Sequence, residues 1–337
     1  MAHGQLRRAA YAFRLMRIVP TTLLAFLVCT SAACGPTWTE AFDGAAHGAL
    51  SGVWGSGPDD VFVVGGTFDQ AEIIHFDGSD WTDMTAPAVP LLAWAYGWGP
   101  DQVLSVGVDG AAAWFDGTSW TAIDTPTDED LWGVFGFSAD DAWAVGGDAN
   151  DVGSEPVILH WDGVAFTEVT VDAAELPRAP ASLFKVWGIG DTLFALGQGG
   201  QIVSWDGAAW RDSPAGAGAD QDFVSLWGST EDTIVAVGGR GNGRIGVWDG
   251  AAWETHQPSG VGGLNAVTMP GDVALVGGLN GFVGVFDPGT GELTYEDTIE
   301  GGDVHALWND GAGRTYAVGG RFVEPLSGLA WVRKGAL

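Results

Sequence analysis

One unit of about 40 residues recurs seven times between Leu50 and Val332, and this repetition limits the possible folds more than any other property of the chain. The unit reads L-x-x-V-W-G, then D-D-V-x-V-V-G-G, then I-x-H-W-D-G-x-x-W-T. Its first copy holds VWGSGPDDVFVVGG and IIHFDGSDW. The position of Trp54 returns as Tyr96, Phe135, Trp187, Trp227, Thr268 and Trp308. An Asp-Gly step returns at Asp77, Asp116, Asp162, Asp206 and Asp249, and degrades to Asp287-Pro288. A glycine closes the second segment at Gly65, Gly107, Gly146, Gly197, Gly238, Gly277 and Gly319.

Each copy carries three short apolar or alternating runs and a fourth that begins at a Trp, with Gly, Asp and Pro between them. Short strands with tight turns have that pattern, and Asp-Gly is a hairpin signal because glycine accepts the positive φ such turns need. The second run, such as Val61–Val64, is apolar at successive positions, as in a strand buried on both faces. Four-stranded sheets arranged radially bury both faces and leave only short edges. The expected fold is therefore all-β, a seven-bladed β-propeller over residues 38–337. Trp38-Thr39-Glu40 matches the start of a fourth strand with nothing before it, while the last copy stops at its third strand, Gly328–Val332. The N-terminal strand should complete the C-terminal blade. A length of 337 residues ordinarily suggests two domains; the repeat makes it one ring.

The first 34 residues carry an address. Arg7, Arg8, Arg14 and Arg17 precede an apolar run from Ile18 to Val28, and Ser31-Ala32-Ala33-Cys34 follows. That order is a secretory signal, over residues 1–33, and the run is too short to span a bilayer. The segment resembles a bacterial lipoprotein cleavage box, in which the Cys becomes the acylated first residue. Ala33 and Gly35 fit, and Ser31 stands where Leu is usual. Residues 34–37 would then be a tether, with Cys34 the lipidation site and the membrane reached through the lipid alone. The alternative is simple cleavage to a secreted or periplasmic protein. Without the signal, 43 acids face nine bases, a net charge of −34. Such a chain lacks the basic patch a nucleic-acid binder needs.

The glycine doublets Gly65-Gly66, Gly146-Gly147, Gly238-Gly239 and Gly319-Gly320, followed by Phe76, Trp161 or Trp248 and then by Trp81 or Trp253, resemble the kelch repeat. Trp or Phe replaces the usual Tyr. As a whole the repeats resemble kelch-like propeller lipoproteins of Gram-negative bacteria, which implies an outer-membrane location. The resemblance concerns the fold and is nearly silent on chemistry.

Catalytic sets are hard to find. The chain beyond Cys34 holds no other thiol, no G-x-S-x-G elbow and no phosphate-cradling loop. His75 and His160 share one repeat position and read as structural. Asp59-Asp60 and Asp140-Asp141 recur where turns need Asp. Phe286–Gly291 resembles one repeat of quinone-dependent propeller dehydrogenases, but it occurs once and reads as a turn. Asp148, Asn150, Asp151 and Glu155 form an oxygen-rich insertion in the third copy alone, a candidate Ca²⁺ site. No other cofactor is expected.

Three extended connections fall in copies three to five, expected on one face, and function concentrates in long loops on rigid scaffolds. Asp172, Glu175, Arg178, Lys185, Arg211 and Asp220 are the candidate binding residues there. The leading expectation is a non-enzymatic, monomeric module that binds a protein partner at the cell envelope. A glycan-binding module is one alternative, and a hydrolase or lyase using acids near the central channel is another.

Overall fold

The computed structural model describes residues 38–151, 154–171, 181–216 and 220–335. Among these, strands form seven four-stranded antiparallel sheets. The first strand of each sheet lies innermost, at Ala49–Gly57, Leu92–Gly99, Leu131–Ser138, Leu183–Ile189, Phe223–Thr230, Leu264–Thr268 and Asp303–Asn309. Each packs on the first strand of the next sheet, and the seventh packs on the first, so the ring closes. The architecture is a seven-bladed β-propeller. Trp38–Glu40 completes the last blade: it pairs antiparallel with Ser327–Lys334, Trp38 opposite Arg333 and Glu40 opposite Trp331.

Large rings fill the wedges between blades. Trp38, Trp120, Phe166, Trp210 and Trp253 begin outermost strands and are all buried. A second set lines the inner strands, where Trp54, Tyr96, Phe135, Trp187 and Trp227 touch in succession at centroid distances of 6.2, 4.7, 6.0 and 6.1 Å. Trp227 of blade five packs against the apolar cluster of blades one and seven as well as those of blades three to six. This end of the central channel is lined by aromatic side chains.

The glycine that closes each second strand is there because of close backbone approach. A Cβ on Gly65, Gly107, Gly146, Gly197, Gly238 or Gly319 would lie 1.9 to 2.1 Å from a carbonyl oxygen just before or at the start of the first strand. In blade six that role belongs to Gly278, not Gly277: Gly278 pairs with Leu264, and its Cβ would meet the Gly263 oxygen at 2.2 Å. The doublet there is shifted by one residue relative to the other copies.

The Asp-Gly turns follow one pattern. In six blades the Asp carboxylate accepts hydrogen bonds from the two backbone N–H groups two and three residues on, as at Asp116 from Thr118 and Ser119, both 2.9 Å. Asp287 does the same for Gly289 and Thr290, so the Phe286–Gly291 segment is one of these turns. These bonds hold the carboxyls of Asp77, Asp116, Asp162 and Asp249 below their usual range, and at Asp206 a bond from Arg211, added to the two backbone bonds, brings the value to about 2.

Candidate functional site

Two faces follow from the strand order. Turns joining first to second and third to fourth strands lie on one face. Connections between blades and those joining second to third strands lie on the other, called here the loop face. In all seven blades the pairing of the first two strands is interrupted by a bulge one residue after the opening apolar position. The bulge residues are Ser51, Ala93, Trp132, Phe184, Val224, Asn265 and His305. All seven line one axial cavity of about 400 Å³ that opens toward the loop face. Bulges re-aim side chains; here the same device, repeated by every blade, builds a ring of unlike residues around the axis.

Lys185 enters this cavity from the inner strand of blade four. It is buried, at 7% exposure. Its Cα stands 2.9 Å from where a Cβ on Gly133 of blade three would be, and its Nζ lies 3.0 Å from the centroid of the Trp94 ring in blade two. A cation over an indole face is attracted to it. No hydrogen bond or ion pair to the Lys185 amine occurs among the described residues. Burial without a counter-ion pushes this amine well below the ordinary lysine range. Ser51 Oγ, also buried in the cavity wall, has no hydrogen-bond partner among the described residues. None of the described residues lining the cavity is an acid.

His305 faces the same space, its ring 4.3 Å from that of Phe322. Burial lowers its pKa to about 4, nearby Asp303 opposes the shift, and Lys185 adds to it. The sign of the consequence is definite. Above pH 6.5 the ring is neutral in both folded and unfolded chains. Between pH 6.5 and 4 the unfolded chain takes up a proton that the folded one refuses, so acid favours unfolding, by on the order of 1–3 kcal/mol across the window. In His305→Asn, denaturant unfolding at pH 7 and pH 4.5 should show a smaller acid loss than wild type. An equal loss would mean the ring titrates normally.

The rim is built by the blade-three insertion. The Ala149 carbonyl accepts hydrogen bonds from Gln198 Nε2 of blade four at 3.0 Å and Arg240 Nη2 of blade five at 3.1 Å, and Ser182 Oγ donates to the Asp148 carbonyl at 2.8 Å. Asp222 holds Arg240 through Nε at 2.5 Å and accepts from the Gly199 N–H at 2.9 Å. Three blades thus share one polar latch at the mouth of the cavity.

The residues singled out in the sequence distribute as follows. Asp220 lies on the loop face by this latch, exposed, with its carboxylate 3.6 Å from Arg244. Lys185 is on that side too, but as a buried strand residue and not a loop residue. Arg211 is on the opposite face: it follows the Asp206 turn at the start of its strand, and its Nε donates to Asp206 at 2.9 Å. It does not join the others, because a residue that opens an outermost strand stands at the turn end of the blade. Asp172, Glu175, Arg178 and Cys34 lie outside the described residues. Asp148 spends a carboxylate oxygen on the Asn150 N–H at 2.8 Å. The carboxylates of Asp148, Asp151 and Glu155 do not converge, and among the described residues no three acid, His or Cys side chains are placed to share a metal ion. His75 and His160 bond Asp60 and Asp141 at 2.7 and 2.8 Å, twin pairs on the turn face that join third strands to first-turn acids.

Two other features compete for attention. A hollow of about 700 Å³ on the flank of blades five and six, around His256, Phe282 and Tyr295, has no acid, Lys or Arg in its lining. Trp98, Trp114 and Trp161 form a row, but their rings stack on one another at 6.2 and 6.1 Å.

No protein-family model matches the chain, and no curated protein does. Solved structures do. The chain is similar to the WD40 β-propeller domain of Doa1, at 9% identity and a TM-score of 0.67, covering 87% of this chain and 96% of that one. It is similar to YCF48 bound to D1 peptide, at 12% identity and 0.62, covering 90% and 97%. It is also similar to YCF48 from Cyanidioschyzon merolae, at 15% identity and 0.63, covering 88% and 98%. At these identities the likeness is one of fold.

Proposed function

We propose that this propeller is a binding module, not an enzyme, that takes a protein partner on its loop face while a lipid on Cys34 holds it to the cell envelope. The observation that carries the reading is the latch around Ala149, which ties blades three, four and five into one fixed platform at the mouth of the axial cavity. A rigid, preorganised rim lowers the ordering cost of binding. One of the similar propellers, YCF48, is described as bound to a peptide, which agrees with this use of the fold. The protein reading is preferred to a glycan reading because the rings of Trp98, Trp114 and Trp161, which a sugar would need free, are stacked on one another. It is preferred to a hydrolase or lyase because no described residue lining the axial cavity carries a carboxylate. The kelch-like pattern and the lipoprotein-type box support an outer-membrane location in a Gram-negative cell, where the module would act as a monomer.

Affinity capture from envelope extract tests the partner. Arg240→Asp breaks the latch from blade five, and the variant should lose a protein that wild type retains. Capture of the same proteins by both chains, or of none by wild type, overturns the reading. For the anchor, Cys34→Ser should move the chain from the membrane fraction to the soluble one; membrane retention of the variant overturns it.

A further inference from the structure

We propose that the axial cavity is a binding site for an apolar monocarboxylate, with the Lys185 amine as its countercharge. Aromatic side chains around Trp227 line the other end of the channel. A cavity of this size, open on the loop face, holds a short molecule or the end of a longer one. The wall is mainly apolar, with Phe184, Trp132, Leu279 and Phe322. A volume of about 400 Å³ is at the small end of ligand sites, which run from roughly 300 to 1,000 Å³.

The polar groups select the ligand's head. A buried amine with no counter-ion is costly to keep, and the cost is relieved when a carboxylate arrives beside it. The ammonium and the carboxylate then form an ion pair in a site that excludes most water. Ser51 Oγ, buried and without a hydrogen-bond partner among the described residues, is available for a hydrogen bond to the same head group. A second cation, Arg240, is at the mouth but is already neutralised by Asp222. The well is therefore locally cationic in a chain of strongly negative net charge, which sets this spot apart from the general field of the protein. A cationic ligand would meet an amine and an imidazole with no lining acid to receive it.

A carboxylate on an apolar stem has two sources, a free small acid and the C-terminus of a polypeptide. The site reading stands apart from the partner reading above, since it needs only the cavity. Calorimetry on the purified full chain in detergent tests it, with 3-phenylpropionate, N-acetylated tripeptides ending in Phe, Leu or Val, and the amides of each probe. At least one acid should bind, its amide at least tenfold more weakly, and Lys185→Met should erase that difference. A preference for the tripeptides assigns the site to chain ends; a preference for 3-phenylpropionate assigns it to free acids; either supports the proposal. Equal binding of acids and amides, no binding at millimolar concentration, or an intact preference in Lys185→Met overturns it. Lys185→Met should unfold at or above the wild-type temperature, because it removes a buried unpaired amine. The comparison of acid with amide needs no variant. A protein captured equally by wild type and Lys185→Met would leave the partner reading in place while the calorimetry decides the cavity.

Discussion

Replacing Trp38 by Ala is expected to lower the free energy of unfolding by about 3–5 kcal/mol, the usual range for deleting a large buried ring. Trp38 is 5% exposed and lies in the cluster formed by Ala266, Leu275 and Val283 of blade six with Val304, Leu307 and Leu329 of blade seven. It fills the wedge between those blades, as Trp120, Trp210 and Trp253 do elsewhere. Its position in the chain makes the effect larger than its area. The closing strand is only three residues long, Trp38–Glu40, and few other side chains hold it in place. Arg333, opposite Trp38, ties the same corner to blade six through Glu296 at 2.7 Å. The indole N–H has no acceptor among the described residues, so no lost hydrogen bond complicates the reading. Trp81, at the same repeat position but partly exposed, is the control and should cost distinctly less. Urea unfolding followed by circular dichroism measures both. A loss below about 1 kcal/mol for Trp38→Ala would mean that the ring does not depend on its N-terminal strand.

The ring itself was legible because its residues do the same job in every copy. A carboxylate that caps a turn, a glycine under a carbonyl and a ring in a wedge leave the same or a similar letter at the same place in nearly every copy. The one register error, at Gly277-Gly278, arose where two glycines stand side by side and only the backbone approach to Gly263 tells them apart. The axial site was not legible for the opposite reason. Its seven residues, from Ser51 to His305, share a location and no chemistry, so in the repeat they read as an unassigned position. Lys185 was visible as a charge near an extended connection, where charges normally lie in solvent. That it turns inward depends on Gly133 in blade three and Trp94 in blade two, which no local pattern connects to it. His75 and His160 stood out as a repeated pair, but their partners Asp60 and Asp141 are set by pairing across the sheet and not by spacing. Arg211 was assigned to the wrong face by proximity in sequence to a long connection; a strand of three residues is enough to carry a side chain to the other end of a blade.

The aromatic-glycine step of the inner strands leads to the second large effect, and it separates a packing cause from a backbone one. Trp187 is 8% exposed, and its ring lies on Gly228 of the next blade. A Cβ at Gly228 would come within 2.6 and 2.8 Å of Trp187 Cη2 and Cζ3 and 2.9 Å of Ile234 Cγ1, all side-chain atoms. Trp187→Ala alone should cost about 3–5 kcal/mol, and Gly228→Val alone about 1–3 kcal/mol from overpacking. The double variant should cost less than the two losses together, by about 0.5–3 kcal/mol, because Val occupies space the indole has left. Gly97 is the counter-case. Trp54 covers it in the same way, at 2.6 Å, but the Gln102 carbonyl also stands 2.7 Å from where its Cβ would be. Removing the Trp54 ring does not move a backbone oxygen, so Trp54→Ala should give Gly97→Val little relief. Unfolding free energies for the two cycles decide the point. If both pairs are additive, the glycine is not there to receive the ring; if both are rescued, the strand backbone yields more readily than its hydrogen-bonded pairing implies. Rescue at Gly228 and none at Gly97 would place the cause of the aromatic-glycine step in side-chain packing at the first and in strand pairing at the second.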